Sequence, residues 1–404
     1  MFAIATVPAF GAGEHHPFPQ HTVYTPGTIK PSAKSQAALN QAVTDFYKIW
    51  KQKYLRPAEE GQLYVFANAE KTLDSPDTRS VSEGHGYGML ASVLMAGADP
   101  EAHEQFDALY RFFRAHPTET HRDLMAWRQI LKPHTKTLTE AKGDRDSATD
   151  GDLDIAYALL LADRQWGSDG PIRYRAEALK VMAAILNGET DPRRQTLTLG
   201  DWVDDESPKW GSLRSSDFMP GHLKAFAAAS GDARWTQIND TTFRIFDRLV
   251  AGFSPETGLV PDFIVPKGDG YCPAPAKFLE ARSDGAFSYN ACRVPWRLGV
   301  DYLLTGDPRS LALLRPLNAW IQKATQGDPA KVNAGYSLDG KPLKEDDSAA
   351  FIGPLTVSAM VEAGQQQWLD ALWANLLKRD PKDEDYFGNT IKLLTMITAS
   401  GNWW

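Results

Sequence analysis

The sequence predicts an all-α fold in which an inner ring of helices is enclosed by an outer ring, and three observations predict it. About a dozen stretches repeat apolar residues at three-to-four spacing, the period of a helix with a buried face. Some are apolar on nearly every side, as in Ile155-Ala156-Tyr157-Ala158-Leu159-Leu160-Leu161-Ala162, and such a helix must be enclosed all round. Others, such as 101–115, are one-sided, and the alternation of the two kinds suggests two concentric rings.

The chain opens with an apolar stretch, Met1 to Gly13, that turns polar at Glu14-His15-His16. This has the apolar run and small-residue exit of a secretory signal but not its positive start. Residues 1–16 are therefore read as a residual signal-like or disordered segment, and 17–404 as one domain. The expected location is outside the cytoplasm, extracellular or periplasmic. Residues 17–33, rich in Pro, Gly and Thr, read as an extended arm lying on the domain. A one-sided helix follows from Ser35 to Tyr54, with Leu39, Val43, Phe46 and Trp50 on its buried face.

Further helical patterns are expected at 84–97, 101–115, 121–131, 152–166, 172–187, 217–230, 233–251, 291–305, 308–324, 347–363, 366–378 and 384–399. Long irregular loops at 55–82, 134–149, 188–215 and 254–290 separate them, and loops of that length in a compact domain are usually functional. Strand-like pieces sit within them at Tyr64-Val65-Phe66 and 259–265.

Bulk properties exclude several classes of function. A net charge of −8 over 404 residues argues against nucleic acid or an anionic membrane as partner, since both attract basic proteins. It suits a neutral or cationic substrate. No segment approaches the ~20 apolar residues of a membrane span. Twelve Trp and 13 Tyr supply flat faces on which sugar rings stack, although a share of them must fill the core. The two cysteines, Cys272 and Cys292, fit no zinc or haem spacing, and either a disulfide or two inert thiols is consistent with them. No His-Glu-x-x-His pair suggests zinc. No metal or cofactor is expected, and the chain is read as a monomer.

Three segments carry chemistry. Ser82-Glu83-Gly84-His85-Gly86-Tyr87-Gly88-Met89 sets a carboxylate before a helix start studded with glycine. Each glycine weakens a helix by about 1 kcal/mol relative to alanine, so close approach of a ligand or a neighbouring helix is the reason to keep them. Ala148-Thr149-Asp150-Gly151-Asp152-Leu153-Asp154 opens the apolar helix with three carboxylates. Capping accounts for one or two of them but not for three. The positive helix end favours an anion at Asp150, a poor proton donor and a good stabiliser of positive charge. The third segment, Phe287-Ser288-Tyr289-Asn290-Ala291-Cys292-Arg293-Val294-Pro295-Trp296-Arg297, stands at another helix start, after Phe278-Leu279-Glu280-Ala281-Arg282-Ser283-Asp284.

Ala148 to Trp166, in the form A-T-D-G-D-x-x-I-A-x-A-L-L-x-A-x-x-x-W, resembles the signature of glycoside hydrolase family 8. The Glu83 and Asn290 segments are similar to two other blocks of that family, and the resemblance runs from about Pro17 to Trp404. It implies an (α/α)6 barrel and an inverting endo-glycosidase without a cofactor, with Glu83 as general acid and Asp150 contacting the sugar just upstream of the cut. Many cellulases and xylanases of the family carry an aspartate base where this chain has Asn290, and an amide cannot take a proton from water. Glu280 resembles the substitute base of the family's chitosanase and lichenase branch, which pairs it with the same asparagine. It is placed ahead of Asp284 and Asp262.

Trp127, Trp202, Trp210 and Tyr289 are candidates for stacking on sugar rings, and Asn290, Arg293, Asp201 and Asp217 for polar contacts at the substrate. Arg293 and Arg297 are read chiefly as braces for the carboxylates. Trp403-Trp404 is expected to close the core. A helix N-terminus should make Glu83 more acidic whereas a general acid needs the opposite, and Asp150 is the expected source of the correction.

The first functional expectation is a chitosanase acting on β-1,4-linked glucosamine, with β-glucanase as a side activity, resting on the branch resemblance, the acidic balance and the cluster Asp204-Asp205-Glu206. An endo-β-1,4-glucanase or lichenase is the alternative. An inactive carbohydrate-binding protein is a third reading, supported by Asn290 and opposed by the intact carboxylates. Asn290 as an engineered replacement of aspartate is a fourth.

Overall fold

The computed structural model describes residues 13–404 except Glu60, Asp74, Pro133, Lys136 and Glu345, so most of the expected signal-like segment lies outside the described residues. Within the described part, twelve helices alternate between two rings. The inner ring holds α2 (Ser82–Leu94), α4 (Thr149–Trp166), α6 (Pro220–Ser230), α8 (Val294–Thr305), α10 (Ala349–Ala359) and α12 (Tyr386–Ala399). The outer ring holds α1 (Gln36–Tyr54), α3 (Ala102–Ala115), α5 (Tyr174–Gly188), α7 (Arg234–Phe253), α9 (Pro308–Thr325) and α11 (Gln366–Lys378). Each inner helix packs on the next, and α12 closes the ring against α2. Each also packs on one outer neighbour, as α4 does on α5 and α12 on α1. This is an (α/α)6 barrel.

Burial follows the sequence pattern. Every residue of α10 is buried, and so is all of α2 except Glu83. In α3, by contrast, one stripe containing Phe106, Leu109, Phe112 and Phe113 faces inward. Glycine lets the inner helices come close. A Cβ at Gly86 of α2 would lie 2.8 Å from Asp154 Cβ, and one at Gly151 of α4 would lie 2.7 Å from Ser82 Cβ. Both positions press α2 against α4 and so bring Glu83 beside Asp150.

The two ends of the barrel differ. Across the C-terminal ends of the inner helices runs the extended arm, whose amides take up carbonyls that helix ends leave free. Phe18 N donates to Ala96 O (2.6 Å), Thr25 N to Leu303 O (2.8 Å) and Ile29 N to Met360 O (2.8 Å). His15 N donates to Gln165 O (3.0 Å), and the His16 ring stacks on Trp404 with centroids 4.3 Å apart, so these residues lie on the domain. Trp403 and Trp404 are buried there and close the core. The N-terminal ends of the inner helices remain open and receive the long loops.

Those loops carry two three-stranded antiparallel sheets, one of Thr78–Val81, Arg128–Leu131 and Leu138–Glu140, the other of Leu213–Arg214, Phe263–Lys267 and Gly270–Pro273. The first sheet corrects the helix expected at 121–131. Leu124, Met125 and Ala126 are buried in irregular chain, and Arg128–Leu131 is a strand. A short apolar run has no period of its own and fits either state. Cys272 and Cys292 are both free thiols, Cys292 being buried.

Candidate active site

The starts of α2, α4, α8 and α12 converge on a cleft of about 370 Å³ at the open end. Helix N-termini favour anions, and the cleft is lined by Glu83, Asp150, Glu280 and Asp385, with Arg214 and Arg293 among them. Aromatic faces come from Trp127, Tyr289, Tyr386 and Phe387.

Arg293 organises the centre. It sits in the short 3-10 turn Ala291–Arg293 leading into α8, with only 2% of its side chain exposed. Its Nη1 donates to Glu83 Oε2 (2.6 Å), Asp150 Oδ2 (2.9 Å) and Tyr87 Oη (3.1 Å), and its Nη2 donates to Asn290 Oδ1 (2.8 Å). Arg293 is therefore a brace, as the sequence suggests, although it also lines the cleft. Arg297 braces a different acid one turn on, reaching Asp154 Oδ1 at 2.9 Å and Oδ2 at 2.5 Å.

Glu83 receives a second hydrogen bond from Tyr386 Oη to its Oε1 (2.5 Å). Tyr386 approaches because residue 84 is glycine; a Cβ there would meet its ring at 2.9 Å. Burial pushes the Glu83 carboxyl above the usual range, Asp150 pushes the same way, and Arg293 and Tyr386 pull it back. Asp150, the cause expected from the sequence, contributes, but burial is the larger one.

Asn290 links the two sides of the cleft. While its Oδ1 accepts from Arg293, its Nδ2 donates to Glu280 Oε2 (2.8 Å). Glu83 and Glu280 thus face one cleft and are joined in series through a guanidinium and an amide. Asp262 and Asp284 are otherwise engaged. Asp262 Oδ1 accepts from the amides of Ser288 (2.9 Å), Asn290 (3.1 Å) and Ala291 (2.7 Å), which fixes the turn before α8. Asp284 accepts from the amides of Leu279 (2.7 Å), Glu280 (3.0 Å) and Ala281 (2.7 Å), which fixes the loop bearing Glu280.

The other two carboxylates at the start of α4 are structural. Asp154 lies between Arg297 and His222 Nε2 (2.9 Å), and buried Asp152 accepts from the Met125 amide (2.9 Å).

Of the expected sugar contacts, Trp127 and Tyr289 line the cleft. Trp127 is positioned by Ser82 N, which donates to its carbonyl (2.9 Å) at the start of α2. Tyr289 is 40% exposed and stands edge-on to Phe351. Trp202 and Trp210 fall outside the lining. Trp202 is exposed, and Trp210 packs half-buried against Leu199, Val203, Phe263 and Ala274. Asp201 also falls outside, because its Oδ1 accepts from the Ser147 amide (2.7 Å) and its Oδ2 from Thr120. Asp217 is buried behind Arg214, where burial pushes its carboxyl up to about 8.

Sequence reasoning missed Arg214, Asp385, Tyr386 and Phe387. For the last three the signal was available: all stand at or beside the start of an enclosed helix, as Glu83 and Asp150 do.

The comparisons agree with this geometry. The family model described as glycosyl hydrolases family 8 matches residues 16–401. A β-glucanase of Niallia circulans is 46% identical over 393 residues, 97% of this chain and 92% of that protein. An endoglucanase of Bacillus sp. (strain KSM-330) is 37% identical over 97% of this chain and 82% of its own length. The apo structure of a β-1,3-1,4-glucanase from Paenibacillus sp. X4 superposes with a TM-score of 0.90 at 46% identity, covering 96% of this chain and 99% of that one. A cold-adapted family 8 xylanase shares the fold at a TM-score of 0.76 and 20% identity, over 95% of this chain and 96% of that one. On its helical rings, its cleft and these matches, the chain belongs to glycoside hydrolase family 8.

Proposed function

We propose that this glycoside hydrolase is an inverting endo-β-glucanase acting on mixed-linkage β-1,3-1,4-glucan. Glu83 gives its proton to the glycosidic oxygen as the C1–O bond breaks. Glu280 takes a proton from a water that attacks C1 on the opposite face, and Asp150 stabilises the positive charge developing on the sugar. Product carries the inverted configuration, and solvent returns both carboxyls to their starting states. The observation that carries this reading is that Glu83 and Glu280 line one cleft and are held apart by Arg293 and Asn290 in series. An inverting pair, about 6.5–9.5 Å apart with a water between, needs such a separation; a retaining pair stands at about 5–5.5 Å. Burial, which raises Glu83, suits a proton donor.

The substrate follows the relatives of 46% identity, a β-glucanase and a β-1,3-1,4-glucanase. Chitosan, the first expectation from the sequence, gains no support from them. Its charge argument also weakens: Asp204, Asp205 and Glu206 are exposed outside the cleft lining. A polymer of this size cannot enter a cell, which favours work outside the cytoplasm. Among the described residues, no helix is long and apolar enough to cross a membrane.

The test is a reducing-end assay on mixed-linkage glucan, carboxymethyl cellulose, xylan and chitosan side by side, with Glu280→Gln as control. Mixed-linkage glucan should be cut fastest, and the variant should lose about 10²–10⁴-fold. Faster release from chitosan would overturn the substrate; full activity of Glu280→Gln would overturn the base.

A further inference from the structure

We infer that Arg214 is a positioning residue that clamps the Glu280 carboxylate in its water-facing orientation; this rests on Glu280 being the base. Glu280 has the least local support of the groups in the cleft. It lies on a loop, and 47% of its side chain is exposed. Asp284 fixes the backbone around it but leaves its rotamers free. Asn290 holds only Oε2. The other oxygen, Oε1, receives Arg214 Nη2 at 3.3 Å, so two donors from different elements define the carboxylate plane.

Arg214 can serve as a fixed point because it is fixed itself. It ends the strand Leu213–Arg214, in register with Phe263, and its guanidinium lies over the buried Phe263 ring at 5.4 Å. Ser215 N donates to Asp262 O (3.0 Å) and locks the next residue. Only 10% of the Arg214 side chain is exposed. Its Nη1 is buried without a hydrogen-bond partner, 3.9 Å from both Asp150 Oδ1 and Asp217 Oδ1. One rigid cation thus sets Glu280 relative to Asp150, on the sugar side of the cleft. A misplacement of about 1 Å in a reacting group can cost 10²-fold in rate.

The experiment is a double-mutant cycle on mixed-linkage glucan with Arg214→Met, Glu280→Gln and the pair, plus Arg214→Lys. Arg214→Met should lower kcat about tenfold to a hundredfold with KM within about twofold. Arg214→Lys, which keeps the charge and guards against loss of the fold, should recover part of that rate. In the Glu280→Gln background, adding Arg214→Met should cost less than about twofold, since residues acting as a unit are not additive. Independent, multiplying losses would overturn the inference while leaving Glu280 as base. So would a kcat for Arg214→Met within about twofold of the parent. An active Glu280→Gln would instead bring down the proposed function, and the inference with it.

Discussion

Glu83→Gln should separate activity from stability in opposite directions. The amide fits the site: its oxygen can accept from Arg293 Nη1, and its NH2 can donate to Tyr386 Oη, which accepts as readily as it donates. What disappears is the transferable proton. General acid catalysis supplies about 10²–10⁴-fold, or about 2.7–5.5 kcal/mol at 1.36 kcal/mol per decade, and kcat on glucan should fall by that factor. Stability should change the other way. Burial raises the folded-state pKa of Glu83 above its unfolded value, so the folded protein holds a proton that the unfolded chain releases. The stability linked to that proton is fully present below the unfolded pKa and is lost as pH rises toward the folded one. Gln cannot lose it, so the variant's Tm at pH 7 should equal or exceed the parent's. Assays on glucan and on a dinitrophenyl cello-oligosaccharide, whose leaving group needs no proton, give a second contrast. The loss on the aryl substrate should be under about tenfold, because dinitrophenolate leaves without the proton that Glu83 supplies. A variant keeping more than about a tenth of its rate on glucan, or losing equally on both substrates, would refute the assignment.

Three further outcomes are expected. Asn290→Ala removes a donor to Glu280 and an acceptor from Arg293, each a charge-assisted bond of about 1.5–3 kcal/mol, so kcat should fall about tenfold to a hundredfold; unchanged kcat in steady-state assays would contradict the linkage. Trp127→Ala should raise KM about five- to thirtyfold, the equivalent of about 1–2 kcal/mol of lost apolar contact, with a smaller change in kcat; a KM within twofold would remove Trp127 from the substrate site. Burial pushes the Glu189 carboxyl up to about 8, so it subtracts stability as pH rises from the usual carboxylate range toward that value. Urea unfolding at pH 5 and pH 8 should show Glu189→Gln losing less stability over that interval than the parent, and identical losses would count against it.

The barrel was legible because helical period and all-round burial are written locally. The all-apolar start of α10, Ala349-Ala350-Phe351-Ile352, cannot be solvated, and the stripe of α3 can bury only one face. At 121–131 the sequence misled, since Leu124 and Met125 join the main core from irregular chain and Arg128–Leu131 is a strand. In the site, Glu83, Asp150, Asn290 and Arg293 were legible because they cluster in three short segments. Arg214 was not, because its importance lies in reaching a loop 66 residues away. Tryptophan density also spoke too broadly: Trp127 faces the cleft, whereas Trp210 has an apolar cluster of its own.

The central claim concerns a donor and an acceptor on opposite faces of one sugar, with water as the attacking group. Proton NMR during early hydrolysis of mixed-linkage glucan reads this directly from the anomeric signal of the newly formed reducing end. The α-anomer should appear first and then mutarotate. First appearance of the β-anomer would mean retention and would contradict the roles given to Glu83 and Glu280.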